Sequence, residues 1–123
     1  MPHIVPMLQY PDAPAALAML TDVLGLPEAP EHRIEEDGVI THAQLGDGAV
    51  RLFVASVWEA GGFAAPDPSR PSTVVWFQTP DVAAARERAL TYGGDTSELQ
   101  PGPTGDLFRW TDPQGQRWLI AAE

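Results

Sequence analysis

Cysteine is absent from the 123-residue chain, which removes disulfides, thiolate metal sites and thiol nucleophiles together. A disulfide-stapled secreted domain is thereby excluded. Long apolar runs are missing as well: no stretch of about 18 apolar residues occurs, and the opening MPHIVPMLQYPD has no basic segment ahead of an apolar one. The expectation is a soluble, cytoplasmic protein. Cations are scarce, with 7 Lys+Arg against 17 Asp+Glu and a net charge of −10. That balance repels phosphate backbones and anionic lipid, so no nucleic-acid and no membrane partner is expected, whereas a neutral or cationic ligand fits. Most of the acidity serves solubility. Nucleophile elbows, phosphate-cradling glycine loops and dinucleotide fingerprints are also lacking.

Proline (13) and glycine (11) are well represented and punctuate the chain. Their densest cluster, from about residue 57 to 72, contains Gly61-Gly62, Pro66, Pro68 and Pro71, and suits neither a helix nor a central strand. It reads as a hinge inside a single domain spanning 1–123, with one module at about 1–56 and a second at about 73–123. Each module opens alike. An apolar strand, His3 to Tyr10 or Thr73 to Thr79, runs into Pro11-Asp12 or Pro80-Asp81, where the aspartate is placed to cap a helix. Apolar residues at helical spacing follow, predicting helices near Ala13 to Leu24 and Val82 to Tyr92, stopped by Gly25 and Gly93-Gly94. Short β runs with tight turns come next: Thr41 to Leu45 and Ala49 to Ala55 around Gly46-Asp47-Gly48, then Leu107 to Thr111 and Gln116 to Ala121 around Asp112-Pro113-Gln114-Gly115. The result is an α+β chain of two tandem βαβββ modules.

The strand ending MLQYPD, the second strand ending in PD before a helix closed by Tyr92-Gly93-Gly94, and the Asp112-Pro113-Gln114-Gly115 turn into Arg117-Trp118-Leu119-Ile120 together resemble the vicinal oxygen chelate superfamily. That superfamily includes glyoxalase I, bleomycin-resistance proteins and extradiol dioxygenases. The resemblance covers essentially the whole chain. It implies that each module curls into a half-barrel sheet with helices on the outer face and a binding cavity on the concave face, and that modules pair across a homodimer. Metal-dependent members place His or Glu ligands on four strands, and the corresponding positions here are Val5, about Leu52, Val74 and Leu119. Valine and leucine offer no donor atom to a divalent metal, and Arg51 and Phe53 beside Leu52 offer none either. No metal and no cofactor is expected, and the chain resembles the metal-free bleomycin-resistance-like branch.

The histidines His3, His32 and His42 have no spacing that sets two imidazoles on one face. Glu35-Glu36-Asp37 reads as a solvated turn before Gly38. Strand alternation from the ligand positions sends Val5, Met7 and Gln9 inward, with Val74, Trp76 and Gln78, and with Arg117, Leu119 and Ala121; Trp118 and Ile120 face the helix layer. The run 107–111 is left with two phases, either Arg109 or the Phe108/Trp110 pair pointing inward. Trp58 and Phe63 lie on the hinge. The expected ligand-binding set is Met7, Gln9, Trp58, Trp76, Gln78, Arg109 and Trp110, with indoles stacking on a flat or cationic ligand and the amides orienting it. Trp76 either contacts a ligand or fills the core. The function expected is metal-free binding of a small molecule, sequestering an aromatic or cationic compound such as an antibiotic, with no catalytic residue assigned. The alternative is a glyoxalase-type lyase or isomerase, or a dioxygenase-like enzyme, using non-standard ligands.

Overall fold

Aspartate caps start both helices of this computed structural model, which describes residues 2–71 and 73–123. Met1 and Ser72, the outer bounds of the expected first module and of the hinge, lie outside the described residues. The Asp12 carboxylate accepts the Ala15 N–H at 3.1 Å and opens α1 (Ala13–Leu24), whose second position is Pro14, where a missing N–H costs nothing. Asp81 accepts from Ala84 at 3.0 Å and opens α2 (Val82–Tyr92). Both helices have the bounds predicted from the sequence. Among the described residues no helix is long and apolar enough to cross a membrane.

The chain divides into two compact units, 1–65 and 66–123, with the division inside the expected hinge. In the first unit β1 (Met7–Tyr10) pairs parallel with β4 (Val50–Ser56), which pairs antiparallel with β3 (Val39–Asp47), which pairs with β2 (Ile34–Glu36). The parallel β1/β4 contact follows from the α1 crossover. β1 is shorter than expected from its sequence: Pro6 has no N–H, and only its carbonyl joins the sheet, accepting from Phe53 at 2.9 Å. β2 is an addition, because the segment read as a solvated acidic turn is a strand. Asp37 and Gly38, with φ of 53° and 78°, form the two-residue link between Glu36 and Val39, the left-handed pair that a tight hairpin needs.

The second unit repeats the plan with β5 (Val74–Thr79), α2, β6 (Asp95–Thr96), β7 (Gln100–Gly102), β8 (Gly105–Thr111) and β9 (Arg117–Ala122). The sheet order is β5-β9-β8-β6, with β7 also on β8 and β5 parallel to β9. β6 and β7 are one interrupted strand. Thr96 faces Trp110 and Gln100 faces Leu107, so one extra residue is accommodated between them. Ser97 fills the gap, its hydroxyl accepting the Arg109 N–H at 2.8 Å while its own N–H reaches the Arg109 carbonyl at 2.9 Å. Each unit is therefore a βαβββ module, and neither sheet closes into a barrel.

Each unit packs its helix on one sheet face. Leu8, Tyr10, Val54 and Leu45 meet the Leu17, Leu20 and Val23 face of α1, all buried. In the second unit the sheet supplies the bulk, with Phe108, Trp110, Trp118 and Ile120, and α2 offers only Val82, Ala85 and Ala89 against it. Bulky sheet residues thus face small helix residues, the size complementarity that close packing favours. Asp112 locks the last hairpin: one carboxylate oxygen accepts Gln114 N–H at 3.0 Å and Gln116 N–H at 3.1 Å, and the other accepts the Trp118 indole N–H at 3.1 Å.

Candidate functional site

Alternation along β1 and β4 sends Leu8, Tyr10 and Val54 toward α1 and leaves Met7, Gln9 and Ala55 on the opposite face. There they line a cavity of about 360 Å³ in the first unit. Its other walls are Val39, Ile40 and Thr41 of β3, Ser56 and Val57 at the end of β4, and the ring pair Trp58 and Phe63. Several hydrogen bonds fix this end of the sheet. The Ser56 hydroxyl accepts the Ile40 N–H at 2.9 Å, and the Val57 N–H reaches the Tyr10 carbonyl at 3.2 Å.

The ring pair is held by a single turn of 3-10 helix over Glu59–Gly61. The Trp58 carbonyl accepts from both Gly61 N–H (3.0 Å) and Phe63 N–H (3.1 Å), so the chain doubles back and Trp58 bridges Phe63 as in a short ladder. The indole lies against Gly61, where a Cβ would collide with its six-membered ring. With that support the two rings stack at a centroid distance of 6.3 Å and an interplanar angle of 23°. Trp58 nevertheless keeps 62% of its surface exposed, and Phe63 and Met7 keep 45% each. Large apolar side chains held apart from the core around a cavity of this size mark a binding surface more often than a packing one. No charged side chain lines the cavity. Its polar groups are Gln9, Thr41 and Ser56, and Gln9 makes no side-chain hydrogen bond among the described residues. An uncharged lining of this kind can discriminate among ligands only by shape, stacking and hydrogen bonds to groups such as the Gln9 amide.

Of the residues expected to bind, Met7, Gln9 and Trp58 are brought together here. Trp76, Gln78 and Arg109 belong to the second unit. Trp76 is half exposed on edge strand β5, aligned with Leu119 and, one strand further, Arg109. The Gln78 amide nitrogen reaches the Thr104 hydroxyl at 3.4 Å and the Ala122 carbonyl at 3.5 Å. Arg109 lines a second cavity, in the second unit, with Arg117. Trp110 is a correction. It is fully buried, donates its indole N–H to the Gly93 carbonyl at 3.2 Å and packs on Trp118 at 6.3 Å. Between the two phases left open, β8 thus turns Arg109 to the open face and Phe108 and Trp110 to the helix. Sequence reasoning left Phe63 out of the site and missed Val39 to Thr41; the Asp37-Gly38 hairpin signature would have extended β3 back to them.

A second correction concerns Leu52, which is only 4% exposed and faces α1. Met7 pairs with Phe53 just as Trp76 pairs with Leu119, so the position equivalent to Leu119 is Phe53. The four metal-ligand positions are then Val5, Phe53, Val74 and Leu119, with Val5 two residues ahead of β1. All four side chains are hydrocarbon, and the donor set does not fit a transition metal. His42 stands edge-on to Phe53, at 4.6 Å and 67°, and no group of three His, Asp or Glu side chains converges among the described residues.

The Glyoxalase/Bleomycin resistance protein/Dioxygenase superfamily model matches residues 1–120, and the chain belongs to that superfamily. No curated protein sequence matches it. Among solved structures it is similar to TioX from Micromonospora sp. ML1, with 26% identity, 99% of this chain and 97% of that one covered, and a TM-score of 0.70. The bleomycin-binding protein of bleomycin-producing Streptomyces verticillus, solved with copper(II)-bleomycin, shares the fold at 21% identity, 100% and 97% coverage and a TM-score of 0.61. So does TnmS3, an antibiotic binding protein from Streptomyces sp. CB03234, at 14% identity, 100% and 98% coverage and a TM-score of 0.69.

Proposed function

We propose that this member of the glyoxalase/bleomycin resistance/dioxygenase superfamily is a metal-free binding protein that sequesters a flat aromatic small molecule, neutral or cationic, of the antibiotic kind. The observation that carries the reading is the Trp58–Phe63 pair standing open over an uncharged cavity of about 360 Å³. Indole and phenyl faces stack on a planar ligand and attract a cationic one through their quadrupoles, each contact contributing about 0.5 to 2 kcal/mol. The hydrocarbon side chains at Val5, Phe53, Val74 and Leu119 support the metal-free part. The bleomycin-binding protein and TnmS3 give the fold's precedent for antibiotic ligands. In this proposal the chain is a single cytoplasmic domain that forms a homodimer; the half-exposed Val74 and Trp76 on edge strand β5 support the homodimer part. A glyoxalase-type or dioxygenase-like enzyme is the weaker reading, for want of ligand side chains.

Titration of EDTA-treated protein with acridine orange, followed by dye fluorescence, tests the reading. Saturable binding is expected, weakened by Trp58→Ala and by Phe63→Ala. Binding that appears only after a divalent metal is added, or that both variants leave unchanged, would overturn it.

A further inference from the structure

We propose that the second unit carries an oxyanion-binding site of its own, built on Arg109 and Arg117, which takes a carboxylate or phosphate group of a small molecule. Arg117 faces Thr111 and Arg109 faces Leu119 in the β8/β9 ladder. The two arginines are therefore diagonal neighbours on the same sheet face, their Cβ atoms about 7 to 8 Å apart, a span that long side chains bridge. Both line one cavity of about 230 Å³ together with Asp95, Ser97 and Thr111.

The arginines' lack of partners is the second observation. The chain holds 17 acids against 7 cations, yet neither guanidinium has a hydrogen bond or ion pair among the described residues. Arg33, by contrast, pairs with Glu28 and Glu35, and Arg86 with Glu98, while Arg51 and Arg70, whose guanidinium groups also lack partners among the described residues, do not line this cavity. Asp95 shares the cavity but pairs with neither arginine. Two like charges set side by side on one face repel, and an anion between them removes the repulsion while engaging both planar forks. Arg109 is held in place by Ser97, whose hydroxyl accepts its N–H at 2.8 Å and donates to the Glu98 carbonyl at 3.0 Å. That hydroxyl is thereby occupied, and Thr111 supplies the remaining neutral donor. The Asp95 carboxylate makes the cavity less hospitable to a doubly charged anion, favouring a monoanion such as a carboxylate. The site uses none of the residues of the cavity in the first unit, and stands whether or not that cavity binds aromatic ligands.

The test follows the arginine Nε–Hε resonances of the ¹⁵N-labelled full chain at constant ionic strength, during separate titrations with sodium benzoate and inorganic phosphate. Saturating shifts are expected at Arg109 and Arg117 and not at Arg51 or Arg70, with benzoate the tighter of the two; a tighter response to phosphate would assign the oxyanion as phosphate. Arg109→Gln and Arg117→Gln should each weaken benzoate binding about tenfold, the loss of one charge-assisted contact. Arg109→Lys, which keeps the charge and loses the fork, should fall between. Shifts that fail to saturate, that spread evenly over all arginines, or that persist in both glutamine variants would overturn the site.

Discussion

Replacing Trp58 by alanine separates a ligand-binding indole from a structural one. A fully buried tryptophan covers about 200 Å², and Trp58, still 62% exposed, covers about 80 Å² of that at most. At about 25 cal/mol per Å² the loss on truncation is below about 2 kcal/mol, and no closed cavity adds to it, because the site is open to solvent. The melting temperature should therefore fall by no more than about 10 °C. Affinity for a planar ligand should drop much further in relative terms: losing one stacking partner costs about 1 to 3 kcal/mol, or about 5- to 150-fold. Acridine orange fluorescence gives the affinity, and thermal unfolding followed by circular dichroism gives the stability. A stability loss of about 3 to 5 kcal/mol, the size expected of a core tryptophan, with dye binding unchanged, would refute the reasoning and make Trp58 a packing residue.

The second unit offers a direct contrast. Trp110→Ala empties a fully buried position and should cost about 3 to 5 kcal/mol in urea denaturation, whereas Trp76→Ala, 45% exposed on β5 and so covering about 110 Å², should cost less than about 2.8 kcal/mol; equal losses would contradict the assigned faces. Asp112→Asn turns an amide nitrogen toward either the Trp118 indole N–H or the backbone N–H groups of Gln114 and Gln116, setting donor against donor in a buried site. It should cost about 2 to 4 kcal/mol, and a variant as stable as the parent would show that the carboxylate is not needed in the turn. Asp67 accepts the Ser69 hydroxyl at 2.7 Å and the Ser69 N–H at 2.9 Å, which together hold its pKa below the ordinary 3.8. Because the folded value is the lower one, the stabilisation is present above the ordinary pKa and disappears as pH falls through the depressed one. Carboxyl ¹³C titration of Ser69→Ala should show Asp67 moving back up, and an unmoved midpoint would discount the hydroxyl.

Both helices and the module repeat were legible because their signals are local: an aspartate cap, an apolar face and a glycine stop each act within a few residues. Strand phase was legible where a strand ran unbroken from its landmark. It held for β1, β5 and β9, counted from the Pro-Asp pairs and the Asp112–Gly115 turn. In β4 it slipped by one, because Asp47 pairs with Val50 around a two-residue loop, placing Phe53 where Leu52 was expected. β8 could not be phased from its own residues: the strand on one side of it is broken at Ser97, and the pairing that turns Trp110 toward the helix layer is set by the sheet. The Trp58–Phe63 stack is local too, resting on the indole against Gly61 and on two hydrogen bonds to the Trp58 carbonyl, but it is a specific turn geometry that the composition of a proline- and glycine-rich segment does not reveal. Arg117 was assigned to the open face, yet its partnership with Arg109 required the phase of β8.

The most direct test of the binding reading is an isotope-filtered NMR measurement on EDTA-treated protein saturated with acridine orange, recording which protein protons show Overhauser effects to the dye. The account predicts contacts from the dye ring protons to the Trp58 indole, the Phe63 ring and the Met7 methyl, with the Gln9 side-chain amide shifted. Dye contacts confined to other residues, or no contacts until a divalent metal is supplied, would contradict it.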